Sequence, residues 1–225
     1  KSCQRNSSCG KRNLLPKIIP MIIFFMAKNP KNLNLSEVLD IKKIEAVNKP
    51  IEKAHGLPNE CYTSEKYLII ERERVFQDKW TAIGIGSSVP NPGDALPYNL
   101  LGIPLIILRD KESKIRVFHN VCSHRGHKLL DKPCSLKNLL RCPYHSWSYD
   151  LEGKLVATPH IGGLNIHESE KFEKSKSNLK EVRSKIWMDI IFININNNEI
   201  EFDEYVRPLE DRWLKFISKD DQNSL

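Results

Sequence analysis

Two short stretches of this chain each place a cysteine and a histidine within a few residues of one another, and no other feature restricts its fold as strongly. The first reads Cys122-Ser-His124-Arg125-Gly126-His127 and the second Cys142-Pro143-Tyr144-His145-Ser146-Trp147, giving the pattern C-x-H-x17-C-x2-H. A C-x-H or C-x2-H step lets one turn aim both side chains into a single pocket. Two such turns can clasp one small inorganic unit from two sides. Two thiolates and two neutral imidazoles suit a zinc ion, or a [2Fe–2S] cluster in which a histidine pair replaces a cysteine pair on one iron. Zinc fingers group like ligands, C-x2-4-C before H-x3-5-H, whereas here the types alternate. A mixed cluster gives alternation a reason, because each turn gives its cysteine to one iron and its histidine to the other. The third reading is two buried cysteines and two surface histidines. The cluster is the preferred one.

C-x-H-R-G-H and C-P-Y-H-x-W resemble the two cluster loops of a Rieske domain of the ring-hydroxylating oxygenase type. The resemblance implies that Cys122 and Cys142 hold one iron, and His124 and His145 the other. Respiratory Rieske proteins of the cytochrome bc type carry an extra cysteine in each loop, joined by a disulfide. The matching positions here are His127 and Tyr144, so that bridge cannot form. This departure points to oxygenases or Rieske ferredoxins.

The formal charge of +7 hints at nucleic acid until it is located. Lys1, Arg5, Lys11, Arg12, Lys17, Lys28 and Lys31 lie in residues 1–32, which contain no acid, and the remaining basic and acidic residues cancel. The expected folded part has no basic excess to attract phosphate. Cys3, Cys9, Cys61 and Cys134 form no regular framework with the two proposed ligand cysteines, so a disulfide scaffold is not expected. A reducing, cytoplasmic setting suits free thiols and such a cluster.

In chain order, residues 1–32 read as a basic tail outside any folded domain. Leu14–Met26 is apolar but carries Pro16, Lys17 and Pro20, and it falls short of the roughly 20 residues a spanning helix needs. Met26 is the expected native start, with a targeting segment as the alternative. Residues 33–79 are expected to be helical: one helix from an N-cap at Ser36 to about Val47, and a second over 64–79 capped by Thr63, with Leu68, Val75 and Phe76 on one face. Residues 80–196 read as a small antiparallel β domain, so the fold class is mostly β (α+β). Its strands are expected at Trp80–Ser87, Ile103–Arg109, Ile115–Asn120, Ser146–Asp150, Lys154–Ala157 and Lys185–Asn196. Both ligand turns fall between strands. Residues 197–225 read as the start of a linker, with a helix beginning near Pro208.

Among the remaining candidates, His119 is expected to be half-buried and structural. His127 could hydrogen-bond near the cluster or lie on the surface. Arg125 could face the cluster edge or make a surface salt bridge, and Trp147 should pack under the cluster loop. His160 and His167 are assigned no chemistry, and Cys134 is a spectator.

A Rieske centre carries one electron, and imidazole ligation raises its potential above that of all-cysteine ferredoxins. The flanks around the β domain look like those of an oxygenase α subunit. That resemblance implies a further domain in which two histidines and a carboxylate hold a mononuclear iron that activates O2. No H-x4-H pair follows His145, so the expectation is an α subunit truncated before its catalytic domain, with no catalytic residue in this stretch. The implied partners are a ferredoxin or flavin reductase and, in the whole enzyme, copies of itself in a trimer; nucleic acid and membrane are not expected. A stand-alone Rieske ferredoxin and a zinc-stabilised module are the alternatives.

Overall fold

The structure is a computed structural model, and it describes residues 34–213 and residue 216. The basic tail, with Cys3, Cys9 and the expected start at Met26, lies outside the described residues. The chain divides into two compact units, one ending at Val75 and the other beginning at Phe76.

The first unit is helical, but in shorter pieces than its sequence suggests. A 3-10 turn, Leu35–Glu37, precedes α1 (Ile41–Val47). Their caps are Asn34, which accepts from Ser36 N, and Asp40, which accepts from Lys42 N. The expected single helix capped by Ser36 is therefore two. Asp40 has extended backbone and draws a nearby N–H to its side chain, which ends one element and starts the next. The expected helix over 64–79 is α3 (Glu65–Glu71) followed by a π-helical turn over Arg72–Gln77, and a further short helix, α2 (Glu60–Thr63), precedes it. The cap is Ser64, whose hydroxyl accepts from Tyr67 N; Thr63 instead ends α2 and bonds back to the Asn59 carbonyl. The wider π turn moves side chains off a 3.6-residue stripe. Val75, within that turn, is exposed, and in α3 itself Ile70 rather than Leu68 is the buried residue.

Among the described residues the second unit is built on ten strands. They are β1 (Thr81–Ile85), β2 (Asp94–Leu100), β3 (Ile103–Arg109), β4 (Ile115–His119), β5 (Cys134–Ser135), β6 (Leu139–Arg141), β7 (Ser148–Asp150), β8 (Leu155–Ala157), β9 (Glu181–Trp187) and β10 (Ile190–Asn194). Seven form one sheet in the order β1-β10-β9-β4-β3-β2-β5, and β6-β7-β8 form a second. Every strand pairing is antiparallel.

Strand β3 explains how this unit holds together. Ile106 and Leu108 join one core cluster, with Cys122, Cys142, Trp147 and Tyr149, while Leu105 and Ile107 join another, with Ile83, Val117, Ile191 and Ile193. A strand buried on both faces reads as a continuous apolar run, as Ile103–Arg109 does. Each of these side chains contributes roughly 1.5–3 kcal/mol by leaving water. The hairpin from β3 to β4 turns on Asp110, whose carboxylate accepts from Glu112 N and Lys114 N and pairs with Arg116 at 2.8 Å. Burial pushes the Asp110 carboxyl up, but Arg116 and the two N–H groups outweigh it and hold it below the ordinary carboxylate value.

Three expectations for this unit need correction. The apolar run Lys185–Asn196 is not one strand but the end of β9, a turn and β10. Met188 and Asp189 both have left-handed backbone, with φ of 49° and 60°. Asp189 is then fixed by Gly86 N and Ser87 N, which donate to its carbonyl and carboxylate. Strand β2 was not anticipated, because Pro97 interrupts its pattern. β5 pairs only with Asp94 and Ala95, so Pro97 lies along an open edge where a missing N–H is tolerated. The last helix, α4 (Phe202–Trp213), contains Pro208 in its interior rather than near its start. It is anchored by Phe202 and Val206 against Trp80, whose indole N–H donates to the Ile200 carbonyl at 2.9 Å. No described helix is long and apolar enough to cross a membrane.

Candidate metal centre

Two turns with one backbone design carry the cysteines and histidines. Strand β4 leads into the first and β6 into the second. In each, the cysteine N–H donates to the carbonyl at the far end of the turn, Cys122 to His127 and Cys142 to Trp147, both at 2.8 Å. The return bonds run from Gly126 N to the Cys122 carbonyl at 2.9 Å and from Ser146 N to the Cys142 carbonyl at 3.0 Å. Gly126 and Ser146 both adopt positive φ, 68° and 61°. Histidine occupies the second position after cysteine in one turn and the third in the other.

This geometry brings like donors together. The Cys122 and Cys142 thiols are both buried, in the same core cluster. The His124 and His145 rings lie 4.9 Å apart between centroids. Among the described residues no three His, Cys, Asp or Glu side chains converge on a single ion position. A tetrahedral zinc site asks four donors to do so, whereas a binuclear cluster asks for two pairs. His145 Nδ1 is buried without a hydrogen-bond partner. Leaving such an atom unmatched costs about 1–3 kcal/mol, which ligation to a metal would remove. The donor set therefore fits a [2Fe–2S] group.

The surroundings favour that chemistry. Burial first, then His145 and Arg125, lower the pKa of His124 and keep its imidazole in the neutral, ligating form. Burial also pushes the Cys142 thiol up, as does Cys122, while the N–H groups of Tyr144 and His145 point at its sulfur and oppose the rise. At the other sulfur, the Tyr149 hydroxyl lies 3.3 Å from Cys122 Sγ and accepts from Ser123 N at 3.1 Å. With its oxygen taken by that N–H, the phenol has its own proton free for a thiolate. Burial and Cys122 raise the Tyr149 pKa, so it stays a donor.

Aromatic rings hold the imidazoles. Trp147, buried as expected, stacks on His124 at 4.5 Å and 8°. Tyr144 lies over His145 at 3.7 Å. His127 and Tyr144, the positions where respiratory proteins carry their disulfide cysteines, face each other at 5.5 Å. His127 donates from Nδ1 to the Lys128 carbonyl, and Arg125 is exposed. His119 is half-buried at the end of β4, its pKa lowered by burial and then Lys180. Cys134 lies half-buried on β5, packed against the core cluster that includes Cys122 and Cys142. His160 and His167 brace their own loop: His160 N donates to His167 Nδ1 and Asn165 N to His160 Nδ1.

Two residues of the site escaped the sequence reading. Tyr149 follows the second motif on β7, and inward alternation from Trp147 was the signal that could have found it. Asn120 is fully buried; its Oδ1 accepts from Leu129 N and Leu130 N at 2.9 Å, and its Nδ2 donates to the Leu130 carbonyl. It ties the entrance of the first loop to its exit, and nothing in the sequence marked it.

Comparison with known proteins agrees with the class that fold and donors define. Residues 79–168 match the Rieske [2Fe-2S] domain, and this part of the chain is such a domain. The chain is 33% identical to the carnitine monooxygenase oxygenase subunit of Acinetobacter pittii, over 64% of its own length and 38% of that protein's. It is 30% identical to the chloroplastic choline monooxygenase of Arabidopsis thaliana, over 73% of this chain and 38% of that one. Among solved structures, a quaternary ammonium Rieske monooxygenase superposes with a TM-score of 0.61 at 30% identity, covering 72% of this chain and 43% of that one. That structure is described as giving insight into carnitine oxidation by gut microbiota and inter-subunit electron transfer. The chain thus matches less than half the length of these oxygenase subunits.

Proposed function

We propose that this chain is the electron-carrying part of a Rieske non-haem iron oxygenase α subunit, with Cys122 and Cys142 holding one iron and His124 and His145 the other. The observation that carries the reading is that two equivalent turns bury both thiols in one core cluster and bring the two imidazoles together, beside the orphaned His145 Nδ1. When bound, the cluster takes up and passes on one electron. The protein's part is to bury the sulfurs, direct N–H and O–H donors at them, and fix each ring by stacking. A ferredoxin or flavin reductase supplies the electron. Catalysis belongs to a mononuclear iron expected in the remainder of the relatives' length, reached across subunits of a homotrimer. Inter-subunit electron transfer in the solved relative supports that arrangement.

Metal and sulfide analysis of anaerobically purified protein tests the assignment. The expected result is two irons and two labile sulfides per chain, lost in Cys122→Ser and in His145→Ala. Stoichiometric zinc without sulfide would overturn it in favour of a structural zinc module.

A further inference from the structure

We propose that His160 and His167 form a pH-operated clasp on the loop between β8 and β9, closed while both imidazoles are neutral and released when either takes a proton. Two main-chain bonds end on these rings. The His160 N–H donates to His167 Nδ1 at 3.1 Å, and the Asn165 N–H donates to His160 Nδ1 at 2.9 Å. Each bond needs an Nδ1 with a free lone pair, so both imidazoles are neutral and carry their proton on Nε2. That leaves neither Nε2 a lone pair for a metal ion. A proton added at either Nδ1 sets one N–H against another and breaks the bond there. The rings lie 5.0 Å apart between centroids, so a second proton would also place two positive charges side by side. The closed loop therefore binds fewer protons than the open one, and closure weakens as pH falls.

The loop depends on this clasp. His160 and Asn165 have left-handed backbone, with φ of 63° and 60°, a conformation that residues with a Cβ avoid. The tip buries little apolar surface to offset it: Leu164 is 85% exposed and Ile166 55%. The other ties are Gly163 N to the His160 carbonyl, Gly162 N to the Ile166 carbonyl, and the hydroxyl of buried Thr158 to the His167 carbonyl. Nothing nearby stands in for the histidines as a proton-sensitive element. β8, which enters the loop, has no charged residue, and the core cluster under Ile161 has none. The segment after the loop carries Glu168, Glu170, Lys171, Glu173 and Lys174, with Glu173 held by Lys176 at 2.6 Å. Among the described residues no carboxylate forms an ion pair with either ring.

The loop also reaches the centre. Ile161 within it and Phe172 beyond it pack against the core cluster that includes Cys122, Cys142 and Trp147. Phe172 meets the Trp147 ring edge-on at 5.5 Å, and Trp147 stacks on His124. Release loosens the packing behind a proposed ligand. This consequence rests on the electron-transfer reading, whereas the clasp itself does not.

Amide hydrogen exchange of the full chain at about pH 7.5 and about pH 5, corrected for the intrinsic rate, tests the clasp. Protection of residues 158–168 should fall about tenfold between the two, as the loss of one hydrogen bond implies, while β3 and β4 keep theirs. In His160→Asn with His167→Asn, the side-chain oxygens can accept the same N–H groups but do not titrate, and the fall should disappear. Asparagine also tolerates the left-handed backbone at position 160. The clasp is overturned if the unvaried chain shows no fall. It is equally overturned if the double variant falls by the same factor, because carboxylates such as Glu168 are then the titrating groups, or if β3 and β4 fall with the loop, because the whole unit then opens. Iron release at about pH 5 reads the link to the centre and should be about threefold slower in the double variant; equal rates would overturn that link. Absence of iron and sulfide from the unvaried chain would instead overturn the electron-transfer reading and leave the exchange test of the clasp standing.

Discussion

The two ligand turns share a backbone and differ in almost everything placed on it. Cys122–His127 and Cys142–Trp147 close with the same pair of hydrogen bonds and the same positive-φ residue before the end. One places histidine a step earlier than the other. One brings its sulfur a phenol, the other relies on the N–H groups of Tyr144 and His145. One spends glycine at the left-handed position and the other serine. A repeated turn is therefore a frame, and the placement of the histidine on it decides from which side each imidazole approaches.

The largest effect should come from making the turns alike. Exchanging residues 124 and 125, by His124→Arg with Arg125→His, turns the first motif into C-x2-H. If the two turns need different steps, iron and sulfide content should fall below about a tenth of the unvaried chain; retention would mean that the frame tolerates either step. Tyr149→Phe sharpens the second difference. The phenol stabilises negative charge on the Cys122 sulfur, and the reduced centre carries more of it, so the potential should fall. A hydrogen bond stronger by about 1.4 kcal/mol in the reduced state corresponds to about 60 mV for one electron, read by redox titration. An unchanged potential would leave the phenol a packing role only. The smallest effect concerns the left-handed positions. A Cβ at Gly126 would meet nothing within 4 Å, so Gly126→Ala should cost about 1–2 kcal/mol from backbone strain alone. Ser146→Gly should show a gain of up to about 1 kcal/mol, both by urea unfolding. Equal effects of one sign would end the equivalence of the two turns.

Much of this was legible in the chain. The alternating cysteine and histidine pattern carried the class of centre, and the runs Ile103–Arg109 and Ile115–Asn120 matched strands nearly residue for residue. Composition hid what depended on single side chains. Asp40 restarts a helix that periodicity would have continued, and Ser64 rather than Thr63 caps the helix after it. The turn at Met188 and Asp189 sits within an apolar run with one polar residue to betray it. β2 went unread, and its Pro97 lies along an open edge where the missing N–H is tolerated. The common frame of the two turns was illegible because it resides in main-chain bonds, which any residue but proline can donate.

Asn120 has a consequence for how the centre is filled. Its amide fastens both ends of the first loop with three hydrogen bonds to Leu129 and Leu130, all within the protein. Fixing each residue's backbone costs about 1–2 kcal/mol of conformational entropy, and here that cost falls on folding rather than on the arrival of iron and sulfide. The first loop is thus a preorganised mould: a cluster delivered to it finds its donors already in place, and little ordering remains to weaken its grip.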